Sequence, residues 1–124
     1  MIRFLIVCGA GAVGCGLRYL VSLWAAERIG TSFPYGTLIV NLVGSFAIAL
    51  VLEMSIRAAS FPPNLRIALT TGFMGGLTTY SSFNYETTAL FQTNAVRGVL
   101  NIVITLAGCL LFGLLGLWLA RRIT

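Results

Sequence analysis

The chain has 124 residues, the size of one domain, and 58% of them are hydrophobic whereas only 9% are charged. Because soluble proteins carry about 25% charged residues, this chain cannot cover a water-exposed surface, and we interpret it as an integral membrane protein. Its net charge of +5 comes from eight arginines that form no basic face, which argues against nucleic-acid binding.

Four apolar stretches are each long enough for the ~20 residues that a membrane-spanning helix needs. They run approximately over residues 4–26, 36–54, 65–90 and 99–120, with short polar separators between them. Trp24, Tyr35 and Trp118 fall at the ends of these stretches, where aromatic residues are enriched in membrane proteins. Residues 1–124 are therefore predicted to form a single all-α membrane domain with four transmembrane helices.

The first stretch combines small residues with one arginine. Small residues four apart let another helix backbone approach closely. Such pairs include Ala10 with Gly14, and Gly11 with Cys15. Arg18 lies deep in the same stretch, where a charge is costly and is by default a candidate for function. The alternative is that the Arg18 side chain extends to the nearer membrane surface.

The second and fourth stretches each carry a modest polar stripe. Within residues 36–45 of the second stretch, Asn41 is the only strong polar group, and Ser45 lies one turn further along the same face. Buried amides in lipid face a partner helix or water, so Asn41 either holds two helices together or acts as a donor in a pore. In the fourth stretch Asn101, Thr105 and Gly108 share a face.

The third stretch contains a run, residues 70–86, that combines glycines with hydroxyl side chains. Glycine lowers helix stability by about 1 kcal/mol relative to alanine, and hydroxyl groups compete for nearby backbone groups. We therefore predict that the third helix is broken at mid-membrane, where freed backbone groups must be buried in protein or line a wet cavity. The alternative is a glycine-rich packing surface between ordinary helices.

The residues that follow the glycines supply a mixed aromatic and hydroxyl lining. Tyr80 and Phe83 are three apart and so share a helical face, and Ser81 with Ser82 lies beside them. Because aromatic ring edges carry partial positive charge, such a lining can solvate an anion without fixed cations. Glu86 is the only acid clearly inside a predicted span, and it is either a functional group or a capping or interface carboxylate.

Taken together, these motifs resemble the CrcB/Fluc family of fluoride channels over essentially the whole chain. The matching blocks are GAVGCGLR in the first stretch, GTLIVNLVGS in the second and TTGFMGGLTTYSSFNYE in the third. The resemblance implies a fluoride-selective channel that passively exports fluoride from the bacterial cytoplasm across the inner membrane and so reduces its toxicity. It also implies an antiparallel, dual-topology homodimer of four-helix subunits, with two fluoride pores along the interface.

The resemblance further implies roles for particular residues. A structural, non-transported sodium ion (Na+) would be held by the backbone carbonyls of Gly75 and Thr78 from both subunits. Arg18 would draw anions towards a vestibule. The anion pathway would comprise Asn41, Tyr80, Ser81, Ser82, Phe83, Glu86, Thr105 and Cys109. This chain departs from the family pattern at Tyr80, where the family usually has Phe, and at Cys109, where it often has Ser.

The sequence leaves two rival functions. A structural membrane protein would assemble helices around the glycine break without conducting ions. A small multidrug exporter would need a carboxylate in the first stretch, which has an arginine instead. An enzyme is not expected, because the chain lacks histidine, aspartate and any nucleophile–base pair.

The arginine distribution raises a question about dual insertion. With the N-terminus inside, five arginines fall on the inner side and two on the outer side, with Arg18 buried. The positive-inside rule then favours one orientation, whereas dual insertion implies nearly balanced charge. Either the bias is too weak to decide insertion, or the chain pairs with an oppositely inserted relative; we favour a homodimer.

Overall fold

The computed structural model describes residues 1–124 and is all-helical, with no β-strand. In chain order the elements are α1 (Ile2–Arg28), α2 (Tyr35–Arg57), α3 (Pro63–Ile67), a π-helical turn (Ala68–Met74), α4 (Gly75–Leu77), α5 (Tyr80–Thr93) and α6 (Ala95–Ile123). Helices α1, α2 and α6 are each long and apolar enough to cross a membrane. They contain the predicted spans 4–26, 36–54 and 99–120, and the all-α prediction is confirmed.

Local sequence signals explain several helix ends. Pro63 occupies the first turn of α3, where its fixed φ suits a helix start and its missing N–H costs nothing. Asn94 caps α6, because its side-chain Oδ1 accepts hydrogen bonds from the N–H groups of Val96 and Arg97 at 3.1 and 3.3 Å. After α1, Gly30 has a φ of 119°, a left-handed conformation that glycine adopts without strain.

The backbone between α3 and α5 departs from a regular α-helix. Helix α3 leads directly into the π-helical turn and α4, and Leu77 is the last helical residue of this segment. The next two residues have extended backbones: Thr78 has φ −81° and ψ 156°, and Thr79 has φ −152° and ψ 122°. Helix α5 then begins at Tyr80. The predicted interruption at residues 70–86 therefore contains most of the π-helical turn and both extended threonines.

Helix α1 contacts the π-helical turn and α4 backbone to backbone. A Cβ atom added at Gly14 would collide with the carbonyl oxygen of Phe73. One added at Gly76 would collide with the carbonyl oxygen of Gly11. Side chains larger than hydrogen would hold these backbones apart. The small residues of α1 thus form the close helix contact that their spacing predicts.

Helix α2 packs mainly against α6, and the two helices run in the same direction. A Cβ atom added at Gly116 would collide with the carbonyl oxygen of Phe46. Near the C-terminal ends of both helices, Glu53 accepts hydrogen bonds from Arg57 at 2.8 Å and from Arg121 at 2.9 Å. This ion-pair cluster joins the ends of α2 and α6.

Little of the apolar surface is buried within one chain. Val40, Met74 and Leu77 form the central cluster, whereas large apolar side chains such as Leu110 on α6 are mostly exposed. Extensive exposed apolar surface is a liability in water but suits contact with lipid or with another membrane protein. The burial pattern therefore agrees with the membrane interpretation of the composition.

Candidate functional site

A groove of about 710 Å³ lies between α2, the irregular segment after α3, the start of α5, and α6. We call it the central groove. The sequence-predicted site residues that line it are Asn41, Gly75, Thr78, Tyr80, Phe83, Thr105 and Cys109. Residues that are up to 68 positions apart in the chain are thus brought together around one cavity.

The side-chain amide of Asn41 holds Thr79, the second of the two extended threonines. The N–H of Thr78 is the last to donate into the preceding helix, to the carbonyl of Met74 at 2.9 Å. The N–H of Thr79 donates instead to Oδ1 of Asn41 at 2.8 Å, and Nδ2 of Asn41 donates to the carbonyl of Thr79 at 3.0 Å. The Asn41 amide therefore satisfies both backbone groups of Thr79, as a neighbouring peptide group would in a sheet.

Thr79 also starts the next helix. Its Oγ1 accepts a hydrogen bond from the N–H of Ser82 at 3.2 Å, which is the N-cap arrangement. The same oxygen lies 3.1 Å from Oγ of Ser82 and 3.3 Å from Oγ of Ser81. Neither serine lines the central groove, so the structure places these two predicted pathway residues at the helix cap. Thr79 is not among the predicted site residues, although a threonine three residues before a serine in a broken helix suits a cap.

Two carbonyls at the interruption lose their usual helical donors. In a continuous helix the N–H of Thr79 would donate to the carbonyl of Gly75, and the N–H of Ser82 to that of Thr78. Both N–H groups are engaged elsewhere, by Asn41 and by the Thr79 hydroxyl. The carbonyl of Thr78 accepts no hydrogen bond.

The freed carbonyls suit a hard cation. Sodium and other hard cations are bound by oxygen ligands, backbone carbonyls included. No group of three or more His, Cys, Asp or Glu side chains lies together anywhere in the chain. The donor set at Gly75 and Thr78 therefore fits a hard cation such as the predicted sodium ion.

The two predicted pore aromatics differ in exposure. Phe83 is 7% exposed and Tyr80 is 74% exposed, although both line the central groove. Their ring centroids lie 5.6 Å apart with planes inclined at 56°, a geometry in the range preferred by aromatic pairs. The buried ring of Phe83 is fixed by packing, while the Tyr80 hydroxyl is free to meet a partner outside the chain.

A buried polar network joins α5 and α6 beside the groove. Nδ2 of Asn101 donates to Oγ1 of Thr87 at 2.8 Å, and Oγ1 of Thr105 donates to Oδ1 of Asn101 at 3.3 Å. Thr87 in turn donates to the carbonyl of Phe83 at 2.6 Å. Asn101 is only 1% exposed. The predicted polar stripe on α6 is therefore used for helix contact, and the hydroxyl proton of Thr105 is engaged in it.

Glu86 lies outside the central groove. Its Oε1 accepts a hydrogen bond from Oγ1 of Thr37 at 2.8 Å, whereas its Oε2 is inaccessible and has no partner. Both residues line a second cavity of about 390 Å³ between the end of α1, the start of α2 and α5. Thr37 was not singled out from the sequence, because its partner lies 49 residues away.

Arg18 lines neither cavity. Its side chain is half-buried on α1, with Nη2 3.8 Å from Sγ of Cys15 one turn earlier. The structure thus brings seven of the predicted residues together, and it separates Arg18, Glu86 and the two serines from them.

Known proteins are similar to this chain in sequence over most of its length. The family described as CrcB-like protein, Camphor Resistance (CrcB), matches residues 5–117. The chain belongs to the CrcB family. It is 46% identical over 114 residues to the fluoride-specific ion channel FluC of Citrifermentans bemidjiense, which covers 91% of this chain and 92% of the relative.

Other relatives carry the same name. The chain is 47% identical over 125 residues to the fluoride-specific ion channel FluC of Anaeromyxobacter sp. (strain K), covering 97% of this chain and 99% of the relative. It is 46% identical over 118 residues to that of Clostridium perfringens, covering 94% and 92%. The family resemblance predicted from the motifs is confirmed, and the chain is a multi-pass membrane protein of the CrcB family.

Proposed function

We propose that the protein is a fluoride-selective channel that lets fluoride leave the cytoplasm passively, across the inner membrane of a bacterium. The observation that carries the proposal is the family membership, with relatives named fluoride-specific ion channels at 46–49% identity. Passive leakage down the gradient protects the cell from accumulated fluoride and needs no energy source or catalytic group. The residues of the central groove supply the physical rationale.

The lining of the central groove suits conduction of a small anion. Fluoride is strongly hydrated, so it needs several close donors to replace its water. The groove offers the hydroxyl of Tyr80, the ring edge of Phe83 and the thiol of Cys109. No arginine lines it. A fixed positive charge would hold the anion too tightly for fast exit.

The exposed face of α5 supports a homodimer. Tyr80, Ser81, Asn84 and Thr88 are all exposed in a single chain. Polar side chains in contact with hydrocarbon are costly, and in membrane proteins they face a partner or water. A second copy related by an antiparallel, dual-topology arrangement would cover this face, and the pores would then run beside the interface. The five-to-two arginine distribution is tolerated if it is too weak to fix orientation.

The direction of the helices supports a fourth, broken crossing. Because α2 and α6 run in the same direction, the end of α2 and the start of α6 lie at opposite ends of the pair. The chain between Ala58 and Asn94 must therefore return across the same distance, and α3, the π-helical turn, α4 and α5 provide that return. In the proposed channel the extended threonines then lie at mid-membrane.

A structural sodium ion completes the proposed channel. The backbone carbonyls of Gly75 and Thr78 from both copies would hold the ion. A bound cation would compensate the backbone acceptors that the interruption leaves without donors. The ion would be held permanently and would not follow the anion path.

A structural, non-conducting membrane protein is the second candidate. The backbone contacts of α1 with the interruption and the buried Asn101 network favour rigid assembly whether or not ions pass. A multidrug-type exporter has no support, since α1 contains no acid except Glu27 near its C-terminal end.

Fluoride efflux from liposomes tests the channel proposal. Purified protein is reconstituted with sodium on both sides, and release is followed with a fluoride electrode, with chloride-loaded liposomes as the matched control. We expect fast fluoride release without chloride release. Phe83→Ile should slow release strongly, whereas Phe91→Ile, the same change on α5 outside the groove, should not. An absence of fluoride release from folded dimers would refute the proposal in favour of the structural candidate.

A further inference from the structure

We propose that Asn41 is a positioning residue for the cation site: its side-chain amide draws the Thr79 N–H away from Gly75 and so keeps the Gly75 carbonyl free. This role differs from that of an anion donor, which the family resemblance implies for Asn41. The inference rests on the sodium ion of the proposed function, and it concerns how the chain presents the ligands for that ion.

The Asn41 amide is committed to the backbone of Thr79. It makes two reciprocal hydrogen bonds with the backbone of Thr79, of 2.8 and 3.0 Å, and is 9% exposed. One of the two hydrogens on Nδ2 and one lone pair on Oδ1 are therefore committed. A single N–H is left for any other partner, which makes Asn41 a weak anion donor.

Helix α2 approaches the interruption closely at Gly44. One turn after Asn41, a Cβ atom added at Gly44 would collide with Cγ2 of Thr78. The absence of a side chain at Gly44 therefore brings the backbone of α2 against Thr78. This approach places the Asn41 amide within hydrogen-bond distance of the next residue, Thr79.

The Asn41 side chain and the Gly75 carbonyl compete for the N–H of Thr79. Gly75 itself has helical backbone angles, with φ of −62° and ψ of −35°. If the backbone angles of Thr78 and Thr79 alone became helical, the helix would continue and the Thr79 N–H would point to the Gly75 carbonyl. If position 41 offers no acceptor, the Thr79 N–H must either bond the Gly75 carbonyl or stay unpaired in a low-dielectric site. An unpaired N–H there has a substantial energetic cost, so the bond to Gly75 is favoured. Loss of the amide therefore converts a cation ligand into an ordinary helical acceptor.

The experiment measures sodium binding directly, apart from fluoride transport. Binding of radioactive sodium to purified dimers is titrated after exchange into a sodium-free buffer of a large organic cation. We expect Asn41→Leu to weaken sodium binding about 10- to 100-fold, as for other residues that hold metal ligands in place. Asn41→Asp keeps an acceptor for the Thr79 N–H, and we expect it to bind sodium nearly as tightly as the unmodified protein.

Ser45→Ala is the matched control. Ser45 lies one turn after Asn41 on α2 and lines the same groove, but it makes no hydrogen bond to the interruption. We expect its sodium binding to be unchanged. If Asn41→Leu gives no folded dimer, Asn41→Ala replaces it, since an alanine side chain offers the Thr79 N–H no acceptor, and the same loss is expected.

The outcomes separate this inference from the proposed function. Unchanged sodium affinity in Asn41→Leu, together with slower fluoride efflux, would overturn the inference and make Asn41 an anion ligand. A lack of sodium binding by the unmodified protein would overturn both the sodium site and the inference. In that case fluoride efflux, measured independently, still decides whether the protein is a channel.

Discussion

The backbone contact at Gly14 allows a quantitative test of the fold. In Gly14→Ala the new methyl group would collide with the carbonyl oxygen of Phe73 and lie 2.9 Å from the backbone nitrogen of Leu77. Neither atom can rotate away, because both belong to the backbone. At Gly9 and Gly16 on the same helix, by contrast, an added Cβ meets no atom within 4 Å.

The two controls isolate the steric cost. Replacing glycine by alanine in a helix stabilises it by about 1 kcal/mol, and this gain is common to all three variants. Overpacking costs about 1–3 kcal/mol and applies to Gly14→Ala alone. We therefore expect the free energy of unfolding of Gly14→Ala to be lower than that of Gly9→Ala or Gly16→Ala by about 1–3 kcal/mol.

Reversible unfolding in mixed detergent micelles, followed by far-ultraviolet circular dichroism, measures these free energies. Dimer content is checked at each detergent ratio, so that dissociation is not counted as unfolding. Equal free energies for Gly14→Ala and Gly16→Ala would refute the backbone contact between α1 and the π-helical turn.

Two further predictions use the same unfolding assay. Asn101→Leu removes one buried hydrogen bond between α5 and α6, from Asn101 to Thr87, and one within α6, from Thr105 to Asn101. We expect the free energy of unfolding to fall by about 1 kcal/mol. Thr105→Val should destabilise the Asn101→Leu variant less than it destabilises the unmodified protein, because in Asn101→Leu the Thr105 hydroxyl has already lost its partner. Equal effects in the two backgrounds would contradict the network. Thr79→Val removes the N-cap of α5 and should lower the free energy of unfolding by about 1 kcal/mol, and no loss would argue against the capping role.

The long helices were predictable from the sequence because hydropathy is a local property. Spans 4–26, 36–54 and 99–120 follow from apolar runs and polar separators, and each lies within one observed helix. Glycine spacing in α1 predicted a close helix contact for the same reason, since the lack of a side chain is visible at each position. The π-helical turn had no such signal, because it depends on how the segment fits against α1.

The candidate site was only partly predictable. Two residues that line the central groove, Phe83 and Thr78, lie within the run of glycines and hydroxyl side chains at residues 70–86, whose composition predicts a broken helix. The hydrogen bonds of Asn41 with Thr79 and of Glu86 with Thr37 join residues 38 and 49 positions apart. Sequence chemistry identifies such polar groups but not their partners, because the partner depends on tertiary packing.

The parallel packing of α2 against α6 has a consequence for biogenesis. Chains are synthesised at about 5–20 residues per second, so α2 enters the bilayer seconds before the surface that it packs against exists. Helix α1 waits almost as long for its partner, because Gly14 contacts Phe73 and Leu77, which lie 59 and 63 residues later in the chain; α6, the last helix, completes the packing. The subunit thus closes by lateral docking of α6 after insertion. Defects at Gly116 should therefore leave chains that are inserted in the membrane but exposed to quality-control proteases.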